Sequence, residues 1–348
     1  MNAYDSSVRR MMITASVTLF ALMLVAAFLL PFAYGTITAF KNKEQIVTSA
    51  RGSILPVSPV KFTYNEQLYD VFEVPMPDGE VRTLALIRAG RNDSTFVDPA
   101  NPEAGEIFWE GRWRTLQQEM TLDPQFGNFQ QVWNGINFPI LLRNTGVIAL
   151  VGTIGTLLSC ILVAYGFARF PIPGKSILFM LLIGTIILPR QVTLVPTYAF
   201  FSLIGWTGTW LPLIVPHFFA NAYNVFLLRQ YFMTLPRELD EAAVIDGAGP
   251  FRVLLWVIIP QSWPVIVTVS LFHIVFAWND YFEPLIYLLG RPDLQPISVG
   301  IQRFNFIYDQ QPHLIQATAL LGLAVPVLLF FLAQRFFMRG VVITGVEK

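Results

Sequence analysis

The chain has 348 residues, of which 54% are hydrophobic and only 13% are charged, about half the charged fraction of a typical soluble domain. With a mean hydropathy of +0.54, this composition excludes an ordinary soluble protein and predicts an integral membrane protein. The formal net charge of +0 predicts no nucleic-acid partner.

Five or six apolar segments are long enough to cross about 30 Å of hydrocarbon at about 1.5 Å per residue. We place them near residues 11–34, 140–167, 177–201, 211–228, 265–289 and 315–337. The first carries no charge over its length and lacks a clear cleavage site, which favours an uncleaved span over a signal peptide. The pattern predicts an all-α polytopic membrane protein.

The basic residues predict the orientation of these spans, because Lys and Arg concentrate in cytoplasmic connections. They precede the first span, separate the second from the third and follow the last: Arg9, Arg10, Arg169, Lys175, Arg335, Arg339 and Lys348. Four arginines near outer ends weaken this bias without reversing it: Arg143, Arg190, Arg291 and Arg303. We therefore expect both termini in the cytoplasm.

The segment 35–134 is rich in charged residues, Pro, Gly and Asn, and we predict a water-facing domain. Residues 67–74 and 80–88 are strand-like runs joined by the turn Pro77-Asp78-Gly79, and residues 107–114 predict another strand. The orientation places this small β-rich domain outside the cytoplasm. Residues 123–134 interleave aromatic and polar side chains, as in an amphipathic helix at the outer interface.

Residues 236–260 form a polar island between two apolar runs. Pro236 suits the first turn of a helix, acidic residues follow it near the positive end of the helix dipole, and Gly247 suits a left-handed stop. These acidic residues are Glu238, Asp240 and Glu241. One face of the helix carries Leu239, Ala242, Ala243 and Asp246, where alanines leave room for a close partner. We interpret the island as a docking element outside the bilayer.

The fifth span contains a polar cluster formed by Trp278, Asn279, Asp280 and Glu283. Ionisable groups at membrane depth are costly and usually face a bundle interior or a wet cavity, which makes the cluster a candidate for the translocation path. An equal alternative is scaffolding, in which these side chains bond across helices or lie at the outer interface.

The residue patterns do not favour an enzyme. The segment 169–176 ends like a phosphate-binding loop but opens with arginine where the leading glycine belongs, so nucleotide binding is disfavoured. The histidines His217, His273 and His313 have neither i, i+4 pairing nor a cysteine partner, which argues against a metal site. We predict no catalytic residues and no cofactor held by this chain.

A combination of motifs connects the island to a known family. Glu241-Ala242-Ala243, then Asp246-Gly247-Ala248, then Ile259-Pro260 resembles the EAA loop of permease subunits in binding-protein-dependent ABC importers. Matching features in the flanking spans are Asn144-Thr145, residues 164–170 with Pro173-Gly174, Pro189, Pro196, and Trp278-Asn279-Asp280 with Pro284. Over about residues 126–289 the combined pattern resembles the carbohydrate-uptake branch, in particular the second permease of maltose-type transporters.

This resemblance implies a prokaryotic cell-membrane subunit with six spans: residues 1–34 hold the first span, 35–134 an extracytoplasmic insertion, and 135–348 a five-helix core. It implies a heterodimeric permease in the lipid membrane, with a different second permease, a solute-binding protein outside the cytoplasm, and two ATPase subunits that bind ATP and Mg. Within the loop 231–260, the residues carried over to ATPase coupling are Glu238, Glu241, Ala242, Ala243, Asp246, Gly247 and Ala248. The tail residues Gly340, Thr344 and Gly345 resemble an extension that contacts the ATPases.

These observations favour a subunit of an ATP-driven importer for a sugar or oligosaccharide. The alternative is a self-sufficient channel or secondary transporter that uses the fifth-span acids as ion or proton sites. No inverted repeat is visible in the hydropathy, which disfavours that alternative. The insertion is longer than is usual in such permeases, and we expect it to contact the solute-binding protein or the partner permease.

Overall fold

The computed structural model describes residues 3–49, 53–304 and 310–341. The chain divides into two compact units: unit 1 comprises Met1–Asn128 and Gln311–Ala317, and unit 2 comprises Phe129–Gln310 and Thr318–Lys348. Each unit has a buried apolar core of its own.

Unit 1 begins with the first predicted span, helix α1 (Ala3–Ala39), followed by the short helix α2 (Lys43–Ser49). Helix α1 continues past residue 34, where we expected the insertion to begin. Gly35 does not stop the helix but permits a close approach, because a Cβ there would lie 2.8 Å from Oε1 of Gln316. The insertion domain therefore begins after Ala39.

The remainder of unit 1 is built on antiparallel strands. A pair of short strands, β1 (Val57–Pro59) and β8 (Met120–Leu122), forms a separate ladder. The larger sheet contains β2 (Lys61–Tyr64), β3 (Gln67–Pro75), β4 (Val81–Ala89), β5 (Asp93–Val97), β6 (Glu106–Glu110) and β7 (Gln117–Gln118). Its order is β2-β3-β4-β5-β6, and β7 also pairs with β3.

The predicted hairpin is present as β3 and β4, with Val71 opposite Ala85 and Pro75 opposite Val81. Its turn places Gly79 at φ 85, a left-handed conformation that glycine adopts without steric cost. The strand predicted at residues 107–114 is shorter and ends at Glu110. It stops there because the chain turns at Gly111, whose N–H donates to the carbonyl oxygen of Asn92 over 2.7 Å.

The helices from residue 127 onward begin with α3 (Gly127–Gly135), α4 (Phe138–Arg169), α5 (Lys175–Gly184), α6 (Arg190–Leu203), α7 (Leu211–Ile214), α8 (Ala222–Thr234) and α9 (Arg237–Ile245). They continue with α10 (Pro250–Val253), α11 (Ile259–Gln261), α12 (Trp263–Asn279), α13 (Phe282–Tyr287), α14 (Ile297–Gly300) and α15 (Pro312–Val341). Helix α3 is the amphipathic helix predicted at residues 123–134. It begins later than expected because the N–H groups of Asp123 and Gln125 donate to the carbonyl oxygens of Pro56 and Phe40.

Two helix pairs are bent. The span expected at residues 177–201 is broken, and Lys175–Ile187 and Arg190–Leu203 meet at 96°. The break lies at Pro189, because proline lacks a backbone N–H and disfavours helical backbone at the residue before it. A second bend of 81° separates Pro250–Gln261, which we expected within the polar island, from Trp263–Asn279. The helix expected at residues 265–289 ends at Asn279 and is followed by the separate helix α13. Over the described residues, four helices are long and apolar enough to span a membrane, or up to six if each bent pair is one span.

The core of unit 2 forms where α4 packs against α8 and α12. Its fully buried side chains include Cys160, Ala164, Val225, Leu228, Phe232 and Val269. Small residues on α4 allow this approach: a Cβ on Gly152 would lie 2.8 Å from Nε2 of His273 in α12. The same core extends to the polar island, since Ala243 and Ala248 pack against it.

Candidate functional site

The α9 loop, residues 235–250, contains one regular helix with a well-defined stop. Pro236 precedes the helix as its N-cap instead of lying in the first turn, while Glu238 and Asp240 lie in that turn as predicted. At the other end Gly247 has φ 80. The N–H of Gly247 donates to the carbonyl oxygen of Val244, and that of Ala248 to the carbonyl oxygen of Ala243. These two bonds are the Schellman pattern that satisfies the last carbonyl groups of a helix.

An ion pair attaches the inner side of α9 to the end of α4. Nε of Arg169 lies 2.7 Å from Oδ2 of Asp240, and the two side chains are only 7% and 19% exposed. Arg169 also donates from Nη2 to the carbonyl oxygen of Leu235 over 3.1 Å. Burial raises the pKa of the Asp240 carboxyl above its ordinary value, and the guanidinium of Arg169 opposes that rise. Because both side chains are largely buried, this pair is a fixed joint between the loop and a long apolar helix.

The side of α9 that faces away from the core of unit 2 exposes both apolar and acidic side chains. In α9, Val244 and Ile245 are 60% and 86% exposed and Leu239 is 38% exposed. Phe251, in the neighbouring helix α10, is 68% exposed. The other exposed residues named for coupling are Glu238, Glu241, Ala242, Asp246 and Gly247. We expected Ala243 on the same face as Leu239, Ala242 and Asp246. Instead, Ala243 and Ala248 are half-buried and pack against the core of unit 2. The reason is the anchor at Asp240, which lies one turn before Ala243 and turns that side of the helix inward.

The residues of the polar cluster in the fifth span contact different partners. Trp278 is buried and donates from Nε1 to the carbonyl oxygen of Gly322 over 3.0 Å, so it ties α12 to α15. Asn279 donates to the carbonyl oxygen of Val275 in its own helix. The carbonyl oxygen of Asp280 accepts from Ser298, while the carboxylate of Glu283 lies 3.7 Å from Nη2 of Arg190. The bond of Trp278 across helices is of the scaffolding kind, but Trp278 and Asn279 also line a cavity of about 500 Å³. The place of the cluster in a translocation path stays a prediction.

A second group of polar side chains meets where the sequence shows no pattern. His217 follows α7 and His273 lies in α12, yet their rings are 4.5 Å apart, centroid to centroid. Both line a cavity of about 470 Å³, together with Arg190, Asn221 and Asn224. From the sequence we expected no site at these histidines, because His217 and His273 lie 56 positions apart and match no motif spacing. The described residues contain no group of three or more His, Cys, Asp or Glu that could hold a metal ion.

The carboxy-terminal residues named for an ATPase contact are only partly described. Gly340 lies in the last turn of α15. Thr344 and Gly345 lie outside the described residues. Their expected contact with an ATPase stays a prediction.

Comparisons with known proteins agree with the motifs of the island and its flanking spans. Residues 157–343 match the family described as binding-protein-dependent transport system inner membrane component. The chain is 28% identical to the osmoprotective compounds uptake permease protein GgtD of Synechocystis sp. over 270 residues. The aligned region covers 77% of this chain and 90% of that protein. It is 34% identical over 242 residues to the sn-glycerol-3-phosphate transport system permease protein UgpE of Pectobacterium atrosepticum, covering 65% and 84%.

A solved structure shares the fold. It is a chain of a bacterial ABC transporter involved in the import of the acidic polysaccharide alginate, and it matches with a TM-score of 0.64 at 16% identity. The match covers 97% of this chain and 99% of that one. Together, the sequence and structure matches confirm the predicted resemblance to the permeases of binding-protein-dependent importers.

Proposed function

The chain belongs to the binding-protein-dependent transport system inner membrane component family, and we propose that this permease component of an ABC importer couples to an ATPase subunit through the α9 loop. The observation that carries the proposal is the construction of that loop. A helix with a fixed joint at Arg169 and Asp240 on one side presents apolar Val244 and Ile245 on the other. Such a rigid element, held in a cleft of a motor protein, converts closure of the motor into rotation of attached helices.

The same proposal gives the chain its surroundings. It forms half of a translocation path with a second, different permease, and it works with two ATPase subunits and a solute-binding protein. Each bent helix pair counts as one crossing, which makes six spans with both termini in the cytoplasm. In this arrangement the α9 loop and the end of α4, which carries Arg169, lie on the cytoplasmic side where an ATPase can reach them.

The transported solute is a sugar or a related polyol in this proposal. Support comes from the names of the relatives, which take up osmoprotective compounds and sn-glycerol 3-phosphate. ATP and Mg belong to the partner ATPases, since the family consists of transport components and not of catalysts.

The test is co-purification of the ATPase with this chain from its native host, followed by ATPase and uptake assays of the complex in liposomes. Glu241→Arg reverses an exposed charge on the outer side of α9, and Gly247→Pro removes the N–H that closes the helix stop. We expect either change to release the ATPase and abolish uptake. Glu103→Arg, an equal charge reversal at an exposed site of the insertion domain, serves as the control and should retain the ATPase.

Two outcomes would contradict the proposal. One is uptake by the isolated chain in vesicles without any ATPase, as a channel or secondary transporter would show. The other is full retention of the ATPase by both loop variants.

We also propose that the sheet domain of unit 1 contacts the solute-binding protein or the partner permease. Arg91, Arg112 and Arg114 line one cavity of about 430 Å³ with Trp113. None of the three arginines forms an ion pair with another described residue, which leaves their donors for a carboxylate-bearing partner. Changing all three to Glu should abolish stimulation of ATP hydrolysis by the solute-binding protein, and Arg88→Glu on β4 should not. Equal stimulation in the triple variant would remove this role.

A further inference from the structure

Three basic side chains, which we call the basic cluster, lie at one end of unit 2 beside the α9 loop. Lys175 begins α5, Arg229 lies in the second half of α8, and Arg237 begins α9. The positive charges of Arg229 and Arg237 both act on Lys175. None of the three forms an ion pair with a described residue. Because like charges repel one another, a bound anion would stabilise this arrangement.

The structure fixes the positions of two of these cations. Nζ of Lys175 donates to the carbonyl oxygen of Phe170 over 3.2 Å. Arg229 donates from Nε to the carbonyl oxygen of Phe167 over 3.4 Å, and its guanidinium lies 4.2 Å from the centroid of the Phe179 ring. The two Nη groups of Arg229 have no acceptor within the described part of the chain. An arginine that is held by its Nε and by a ring face leaves these groups for an acceptor from outside, such as a phosphate.

The acidic residues of α9 do not neutralise the basic cluster. The charge of Arg237 also acts on Asp240, but Oδ2 of Asp240 lies 2.7 Å from Nε of Arg169. Glu238 and Glu241 are exposed and form no ion pair with another described residue. The cluster therefore keeps a positive charge that only a further anion can balance.

An apolar helix face adjoins the basic cluster. The residues that follow Lys175 in α5 include the exposed side chains Ile177, Leu178, Met180 and Leu181. Helix α5 belongs to a bent pair of membrane length, so this face is suited to contact with acyl chains. Basic pockets at the cytoplasmic ends of membrane helices bind anionic lipid headgroups. An amphiphile with a negative headgroup matches both surfaces, whereas an acidic surface of a soluble partner would match the charges alone.

We propose that the basic cluster binds the phosphate of an anionic phospholipid whose acyl chains lie along the exposed face of α5. Arg229 and Arg237 supply planar pairs of donors, and Lys175 supplies a point charge. The bound lipid holds the ends of α4, α5 and α8 together at the base of the α9 loop. This lipid site goes beyond the proposed function, because it requires only that this end of unit 2 lies at a membrane surface.

The experiment uses the complete transporter in lipid nanodiscs, with a bimane label on Leu181→Cys in the exposed face of α5. The partner subunits are made free of cysteine, and the native Cys160 is 0% exposed and escapes labelling. Quenching of bimane is measured as phosphatidylcholine is replaced by brominated phosphatidylglycerol or by brominated phosphatidylcholine with the same acyl chains. Each Lys or Arg near the surface contributes about fivefold to the binding of an anionic lipid, so we expect a preference for phosphatidylglycerol of more than about tenfold.

Variants test whether the preference comes from the basic cluster. Lys175→Gln and Arg237→Gln should each lower it about fivefold, and the triple variant with Arg229→Gln should abolish it. The control is Arg252→Gln, which removes an exposed positive charge from α10 outside the cluster and should keep the preference. Size-exclusion profiles show whether each complex is folded. Excess inorganic phosphate should leave the preference in place, because it carries the charge of the headgroup without acyl chains.

Three results would overturn the lipid site: equal quenching by both lipids in the unchanged complex, a preference that survives in the triple variant, or a preference that inorganic phosphate abolishes. Retention of the ATPase is measured in the same preparations. Equal quenching together with loss of the ATPase from the triple variant would assign the cluster to the ATPase instead. A complex that prefers phosphatidylglycerol but keeps its ATPase in both α9 loop variants refutes the proposed function and supports the lipid site.

Discussion

The joint between Arg169 and Asp240 makes a quantitative prediction for Asp240→Ala. The substitution leaves a guanidinium that is 7% exposed with only the carbonyl oxygen of Leu235 as a partner among the contacts described. Removing one member of a buried pair costs about 3–5 kcal/mol, and a hydrogen bond to a charged group contributes about 1.5–3 kcal/mol. The expected loss is smaller than for a fully buried pair, because the Asp240 side chain is still 19% exposed and burial already disfavours its charge. We expect Asp240→Ala to destabilise the closed loop by about 2 kcal/mol, which raises the equilibrium constant for loop opening about thirtyfold.

Hydrogen exchange of the purified chain in detergent measures this opening directly. The reporting amides are those of Asp246, Gly247 and Ala248, whose N–H groups donate to carbonyl oxygens of α9. Asp240→Asn should cost less than Asp240→Ala, because a polar oxygen still lies beside the guanidinium of Arg169. The matched control is Glu238→Gln, which removes one negative charge from the same turn at an exposed site and should change exchange little.

Unchanged exchange in Asp240→Ala would refute the reasoning, since the loop would then be held by its apolar contacts alone. An equal loss of protection in Glu238→Gln would refute it differently. That result would assign the effect to the helix dipole, which favours any acidic residue in the first turn.

Three further predictions concern single residues. Burial raises the pKa of the Asp240 carboxyl above its ordinary value of 3.8. The contribution of this carboxyl to the stability of the loop should therefore be fully present below its ordinary pKa and be lost as the pH rises through the raised pKa. Asp240→Asn should abolish this pH dependence in hydrogen exchange, after correction for intrinsic exchange rates. Gly247→Ala should lower stability by about 1–2 kcal/mol, because Gly247 has φ 80. Gly249→Ala should be nearly neutral in thermal melts, because an added Cβ there also has nothing within 4 Å but φ is not positive. Trp278→Phe should lower stability by about 1 kcal/mol through loss of the hydrogen bond to Gly322 and leave solute affinity unchanged in uptake assays. A changed affinity would support the predicted place of Trp278 in the translocation path.

Much of the fold follows from local patterns in the chain. Apolar runs of membrane length predict α1, α4 and α15, and the observed helices contain them. Proline, acidic residues and Gly247 mark α9 because helix ends are determined by the few residues that cap them. The hairpin of β3 and β4 likewise follows from its turn residues. These features depend on neighbours in sequence, so the sequence shows them.

Other features depend on residues far apart in the chain. The break at Pro189 is visible as a proline, but proline also occurs inside α6 and α15, and only the packing of neighbouring helices decides which one separates two segments. Ala243 was assigned to the outer face of α9 because the i, i+3, i+4 pattern does not say which side meets the rest of the protein. The partner at Arg169, 71 positions earlier, decides that.

The sequence by itself determined that this is a membrane permease component with a capped helix between two apolar runs, because hydropathy and capping are local properties of the chain. Only the tertiary structure decided that Asp240 is an anchor, that Trp278 joins two helices, and that His217 and His273 share one cavity wall with Asn224. The physical reason is that the burial and the pairing of a side chain depend on residues that the fold brings next to it, and these residues are far away in the sequence.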